Sequence, residues 1–158
     1  MASVPSGFRK EKFQAVKYYA HGGLGDGSGI SLDNAAAIVD GDVMAIEAGT
    51  VIEKCYVIVT TAITGVTNLD VGDDDDADGF VDGSLSVTLG TAGMYGWNAK
   101  LAGAYLRVET AGATDAADIY VVPNAKYYAA AGKEVKLDVT TASTAGAFQV
   151  VVEGFKHA

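Results

Sequence analysis

Aspartates recur at alternate positions in the run Asp74-Asp75-Asp76-Ala77-Asp78-Gly79, and Asp82 follows four residues after Asp78. Alternating carboxylates that end in a glycine can wrap a short loop around a hard cation. Calcium takes about six to eight oxygen ligands, and a glycine lets the backbone turn sharply around them. Asp74, Asp76, Asp78 and Asp82 are therefore the candidate calcium ligands.

With Asp74 as position one, the run matches positions one, three, five, six and nine of the helix-flanked calcium loop. It departs at position twelve, where Leu85 replaces the bidentate glutamate, and the flanking segments are strand-like rather than helical. The loop is thus no EF-hand. Either it holds calcium weakly with a ligand borrowed from elsewhere, or it is a solvated acidic loop tip. Like charges this dense repel one another unless a cation or water screens them.

Little else in the chain suits catalysis. The histidines are His21 and His157, and the one cysteine is Cys55. Too few such ligands are present for a zinc site of the usual kind. Neither histidine neighbours a nucleophile in sequence, and Trp97 is the sole tryptophan that could floor a sugar cleft. The glycine-rich stretch His21–Gly29 lacks the spacing of a phosphate-binding loop or a nucleophile elbow. No enzyme activity is expected, and no cofactor besides calcium.

Charge is distributed unevenly. The 158-residue chain has a formal charge of −9, so no nucleic-acid partner is expected for its body. Residues 1–21 carry Arg9, Lys10, Lys12 and Lys17 against Glu11, a net of +3, while residues 22–158 carry −12. A basic, aromatic end on an acidic body reads as a docking arm, the competing reading being a frayed terminus. Its candidate contact residues are Phe8, Arg9, Lys10, Lys12, Phe13, Lys17, Tyr18 and Tyr19. Residues 22–29 then form a glycine-rich hinge, and residues 30–158 the body. A lone cysteine allows no intrachain disulfide, and no apolar run approaches the roughly 20 residues of a membrane helix. The chain is expected to be soluble, made in the cytoplasm, with no membrane partner.

The body has the grammar of strands. Val51–Thr61 is a long apolar strand leading through Ile63 to Leu69. Leu85/Val87/Leu89, Ala104/Leu106/Val108, Val135/Leu137/Val139 and Phe148/Val150/Val152 alternate with mostly polar neighbours. Period-two alternation marks strands packed on one face. Asp40-Gly41 reads as a turn before a short strand Val43–Ile46, Ser31–Ala37 as a helical turn, and Gly90–Gly103 and Asn124–Gly132 as loops. Many short strands with little helix predict an all-β fold, an antiparallel β-sandwich or jelly roll with an extended N-terminal arm.

Several stretches resemble the capsid decoration, or cement, proteins of tailed bacteriophages. They are Tyr56–Ala62, Leu69–Asp73 running on through Asp78-Gly79-Phe80, Lys126–Ala129, and Thr144–Gly146 with Val150–Glu153. The resemblance spans about residues 51–158. It implies a jelly-roll-like homotrimer on the capsid exterior, clamping the major capsid protein through its N-terminal arm, with no catalytic residues. Similar domains occur in head fibres and tail components. The alternative is therefore a head-fibre or tail-associated module that binds a host surface or glycan, with calcium dependence through the acidic loop.

Overall fold

The structure is a computed structural model describing residues 10–22, 30–31, 38–65, 69–82, 90–96, 105–106, 108–109, 119–120, 125–139 and 143–157. The described elements are strands. They are β1 (Lys10–Ala20), β2 (Ile30–Ser31), β3 (Ile38–Ile46), β4 (Thr50–Thr64), β5 (Leu69–Gly72) and β6 (Gly93–Tyr95). There follow β7 (Val108–Glu109), β8 (Ile119–Tyr120), β9 (Lys126–Tyr128), β10 (Lys133–Val139) and β11 (Ala145–His157).

The larger sheet runs β2-β1-β11-β4-β6, with β9 beside β6 along the far edge of β4; the smaller runs β3-β10-β5, and β7 pairs with β8 as a separate two-stranded ladder. Strand pairing is antiparallel apart from the short β1–β2 contact. The two sheets close on one core. Tyr19, Ile52, Cys55, Val57, Val59, Phe148, Val150 and Val152 of the larger sheet join Leu69, Val71, Val135, Leu137 and Val139 of the smaller. The chain is an all-β, predominantly antiparallel sandwich. The alternation in residues 135–139 and 148–152 is borne out, with Val135, Leu137, Phe148, Val150 and Val152 at most 2 % exposed.

Val51–Thr61 is an interior strand of the larger sheet, but its alternation breaks at Glu53–Lys54 and again at Thr60–Thr61. Ile52 faces the core, Glu53 and Lys54 both face outward, and Cys55, Val57 and Val59 face the core again. The cause of the first break is a bulge: Glu153 pairs with Lys54 and Gly154 with Ile52, which leaves Glu53 without an opposite residue. Gly154 makes the bulge fit. A Cβ there would lie 2.0 Å from the Val51 carbonyl oxygen and 3.0 Å from the Phe13 ring.

Several expectations need correction. Residues 10–20 are not an arm outside the body. They pair with β11 along their whole length, and Tyr19, fully buried, stacks on Phe148 at 4.9 Å. Asp40-Gly41 does not turn the chain but lies inside β3, where irregular register against β10 absorbs the poor strand formers. The two loops expected after residues 90 and 124 contain β6 and β9, which cover the edge of β4. Tyr105-Leu106 forms a turn rather than strand. Residues 23–29, 32–37, 83–89 and 97–104 lie outside the described residues, and with them most of the glycine hinge, the helical turn after Ser31, Leu85 and Trp97.

Candidate functional site

The acidic segment is a loop closed at its base. Val71 bridges Val81, and the Val81 and Phe80 amides both donate to the Val71 carbonyl at 2.9 Å. Phe80 and Val81 are buried, so the far end of the loop is plugged into the core. Gly72 is required by close approach, since a Cβ there would sit 2.0 Å from the Asp76 carbonyl oxygen.

Asp73, absent from the candidate ligands, organises this loop. It is 4 % exposed. Its Oδ2 accepts from the Tyr128 hydroxyl at 2.5 Å, and its Oδ1 from the Tyr105 hydroxyl at 2.8 Å and the Asp75 and Asp76 amides at 2.9 and 3.2 Å. Burial alone would raise its pKa. Hydrogen bonds from Tyr128, the Asp75 amide, Tyr105 and the Asp76 amide outweigh burial and hold it below the ordinary carboxylate value. The two tyrosines are raised, by burial first and then by donating to Asp73. Lys126 completes the base, its Nζ 3.7 Å from the centre of the Tyr105 ring. An Asx-type turn at Asp73 was readable from sequence; its tyrosine donors, 32 and 55 residues away, were not.

Of the four candidate ligands, Asp78 interacts with both Asp76 and Asp82, while Asp74 is turned to a lysine. Asp74 accepts from Lys136 at 2.6 Å, and its neighbour Asp75 pairs with Lys133. Asp78 is raised by its hydrogen bond to Asp76, then by burial and by the charges of Asp76 and Asp82. Among the described residues, no group of three or more His, Cys, Asp or Glu side chains is arranged to hold a metal ion.

The candidate arm residues divide differently. Phe8 and Arg9 lie outside the described residues, and Lys10 begins β1. Phe13 and Tyr19 face the core, Tyr19 as part of it and Phe13 packed against it. Lys12 and Tyr18 are exposed, and Lys17 is half-buried.

The outward face of the larger sheet is partly apolar. Tyr18, Gln149, Ile58 and Met94 form one row across four strands, and Val16, Val151 and Tyr56 the adjacent row. Tyr18, Met94 and Tyr127 are 49, 51 and 58 % exposed. Below these rows Glu153 accepts from Gln14 at 2.8 Å and Tyr56 at 2.9 Å, with Lys54 at 3.4 Å. Burial and this bond push the Tyr56 pKa up to about 12. Sequence reasoning did not assemble this face, because its members come from four strands far apart in the chain.

One pairing of catalytic type is present. His21 Nδ1 lies 3.4 Å from the Ser143 hydroxyl, and the His21 amide donates to Gly146 at 2.9 Å. Ser143 is buried, so the contact ties the end of β1 to the start of β11. Among the described residues no helix is long and apolar enough to cross a membrane.

No protein-family model matches the chain, and no curated protein matches it. A solved structure titled "Cyanophage Pam1 capsid asymmetric unit" contains a chain of similar fold. The likeness covers 99 % of this chain and 92 % of that one, with a TM-score of 0.51 and 14 % sequence identity. At that identity the likeness is one of fold.

Proposed function

We propose that this chain is a structural virion protein that binds the outside of a bacteriophage capsid and stabilises it. The observation that carries the reading is the shared fold, which spans nearly the whole of both this chain and a chain of a cyanophage capsid unit. Exposed Tyr18 and Met94, in one row with half-buried Ile58, support it, because aromatic residues and methionine are enriched where proteins meet. In this reading the outward face of the larger sheet lies against the major capsid protein, and the basic start of β1 meets acidic capsid surface. A modest contact per copy suffices, since many copies on one shell share the load.

The test mixes purified chain with capsids that lack it, then measures bound copies by sedimentation and the temperature at which the shell comes apart. Saturable binding and a higher disruption temperature are expected. Tyr18→Asp combined with Met94→Asp is expected to lower occupancy at least about tenfold while the free chain keeps its melting temperature. Absent binding overturns the proposal, and full occupancy by the double variant overturns the assignment of the face.

A further inference from the structure

Among the described residues the larger sheet ends in an open edge. β2 covers β1 only at Tyr19 and Ala20, so among the described residues the backbone from Lys10 to Tyr18 has no strand on its outer side. Exposed strand edges are templates for another strand. Beside this edge runs an open groove lined by Phe13, Ala15 and Met44, with Glu11 and Lys12 among its other residues. These three apolar side chains are only partly buried.

The side chains along that edge select the occupant. On the core-facing side, β1 reads Glu11, Phe13, Ala15, Lys17: charge, apolar, apolar, opposite charge. Run antiparallel against itself, this order is self-complementary. With Gln14 opposite its own copy, Glu11 meets Lys17, Phe13 meets Ala15, and the same pairs recur across the two-fold axis. On the outward side Lys12 falls opposite Val16, so no like charges face each other. In this register Lys10 falls opposite Tyr18, so the pairing stops where β2 begins. Among the described residues neither Glu11 nor Lys17 is in a salt bridge.

We propose that β1 pairs with β1 of a second copy, antiparallel about Gln14, joining two larger sheets into one. The contact is isologous and closes as a dimer, in contrast to the trimer implied by family resemblance. It depends on the chain alone and is independent of any capsid.

Sedimentation equilibrium of the full chain, over a wide concentration range, is expected to show a monomer–dimer equilibrium. Glu11→Lys and Lys17→Glu each place like charges opposite one another twice and are expected to weaken the dimer about tenfold or more. The double variant E11K/K17E restores opposite charges and is expected to return within about threefold of the parent. A second readout is Gln14→Cys, which places two thiols across the axis. Under mild oxidation it is expected to cross-link far faster than Lys12→Cys, whose thiols would be about 13 Å apart along the strands. A chain that stays monomeric, a trimer, a dimer indifferent to charge reversal, or equal cross-linking at positions 12 and 14 each overturns the proposal.

Discussion

The acidic loop and the basic first strand carry much of the chain's lopsided charge, and the fold treats them in opposite ways. In the loop, three carboxylates are answered internally. Asp73 is met by Tyr105 and Tyr128, Asp74 by Lys136 and Asp75 by Lys133. In β1 the backbone is held on one side by β11 over its full length, while Glu11, Lys12 and Lys17 line an edge that the described strands leave largely open. Acidity alone does not make a loop a binding site, and incorporation into a sheet does not remove a strand from binding. What decides is which groups the fold leaves without an answering partner.

The heaviest blow to this contrast would be the removal of residues 1–21. If β1 is structural, deletion uncovers β11 and strips Tyr19 from Phe148, and the product is expected to lose its cooperative melting transition by circular dichroism. Tyr19→Ala is the milder version and is expected to cost about 3–5 kcal/mol in denaturant unfolding. A deletion product that melts like the parent would return β1 to the status of an arm.

On the loop side, Asp73→Ala leaves two tyrosine hydroxyls and two amides without their acceptor, and a loss of about 3 kcal/mol is expected. Tyr128→Phe removes one donor to a charged acceptor and is expected to cost about 2 kcal/mol. Glu11→Lys, by contrast, is expected to leave monomer stability within about 0.5 kcal/mol.

The same knot sets a pH window. The pKa of Asp73 is lower in the folded chain than in the unfolded one, so its contribution is present above about pH 4 and is lost as pH falls through the folded value. Those of Tyr105 and Tyr128 are raised, so theirs is present below about pH 10 and is lost as pH climbs through their folded values. Stability against pH is expected to form a plateau with both shoulders, and Tyr128→Phe is expected to flatten each. The smallest effects belong to the loop tip. Asp74→Ala and millimolar calcium are both expected to leave the melting temperature unchanged, because Lys136 and Lys133 already answer the nearest carboxylates. A calcium-dependent rise would reopen the tip as a cation site.

Much of this fold was legible where alternation is a local property. Val135–Val139 shows its core face because only one side of the strand is dry, and Phe148–Val152 shows it although Val151 on the other face is buried too. Asp40-Gly41 misled because its turn propensity is local, whereas the ladder that overrides it is supplied by β10. The bulge at Glu53 was hidden for a related reason, since it exists only in the pairing of β4 with β11. At the site, the run of aspartates advertised Asp74, Asp76, Asp78 and Asp82, of which Asp74 and Asp78 are exposed. Asp73 matters through tyrosines that only folding brings near it. The charge asymmetry singled out residues 1–21, but not the place of residues 10–20 in a sheet.

Cys55 offers a consequence of a different kind. It is the only cysteine, 1 % exposed on β4, and burial pushes its thiol well above the usual range. A thiol so placed reacts only when β4 leaves its neighbours. Its labelling by a thiol reagent therefore serves as a built-in clock of core opening, needing no engineered probe. With slow reagent the clock reads the free energy of opening, and with fast reagent the opening rate itself. Run with free chain and then with capsids present, the same thiol would report whether binding holds the core shut.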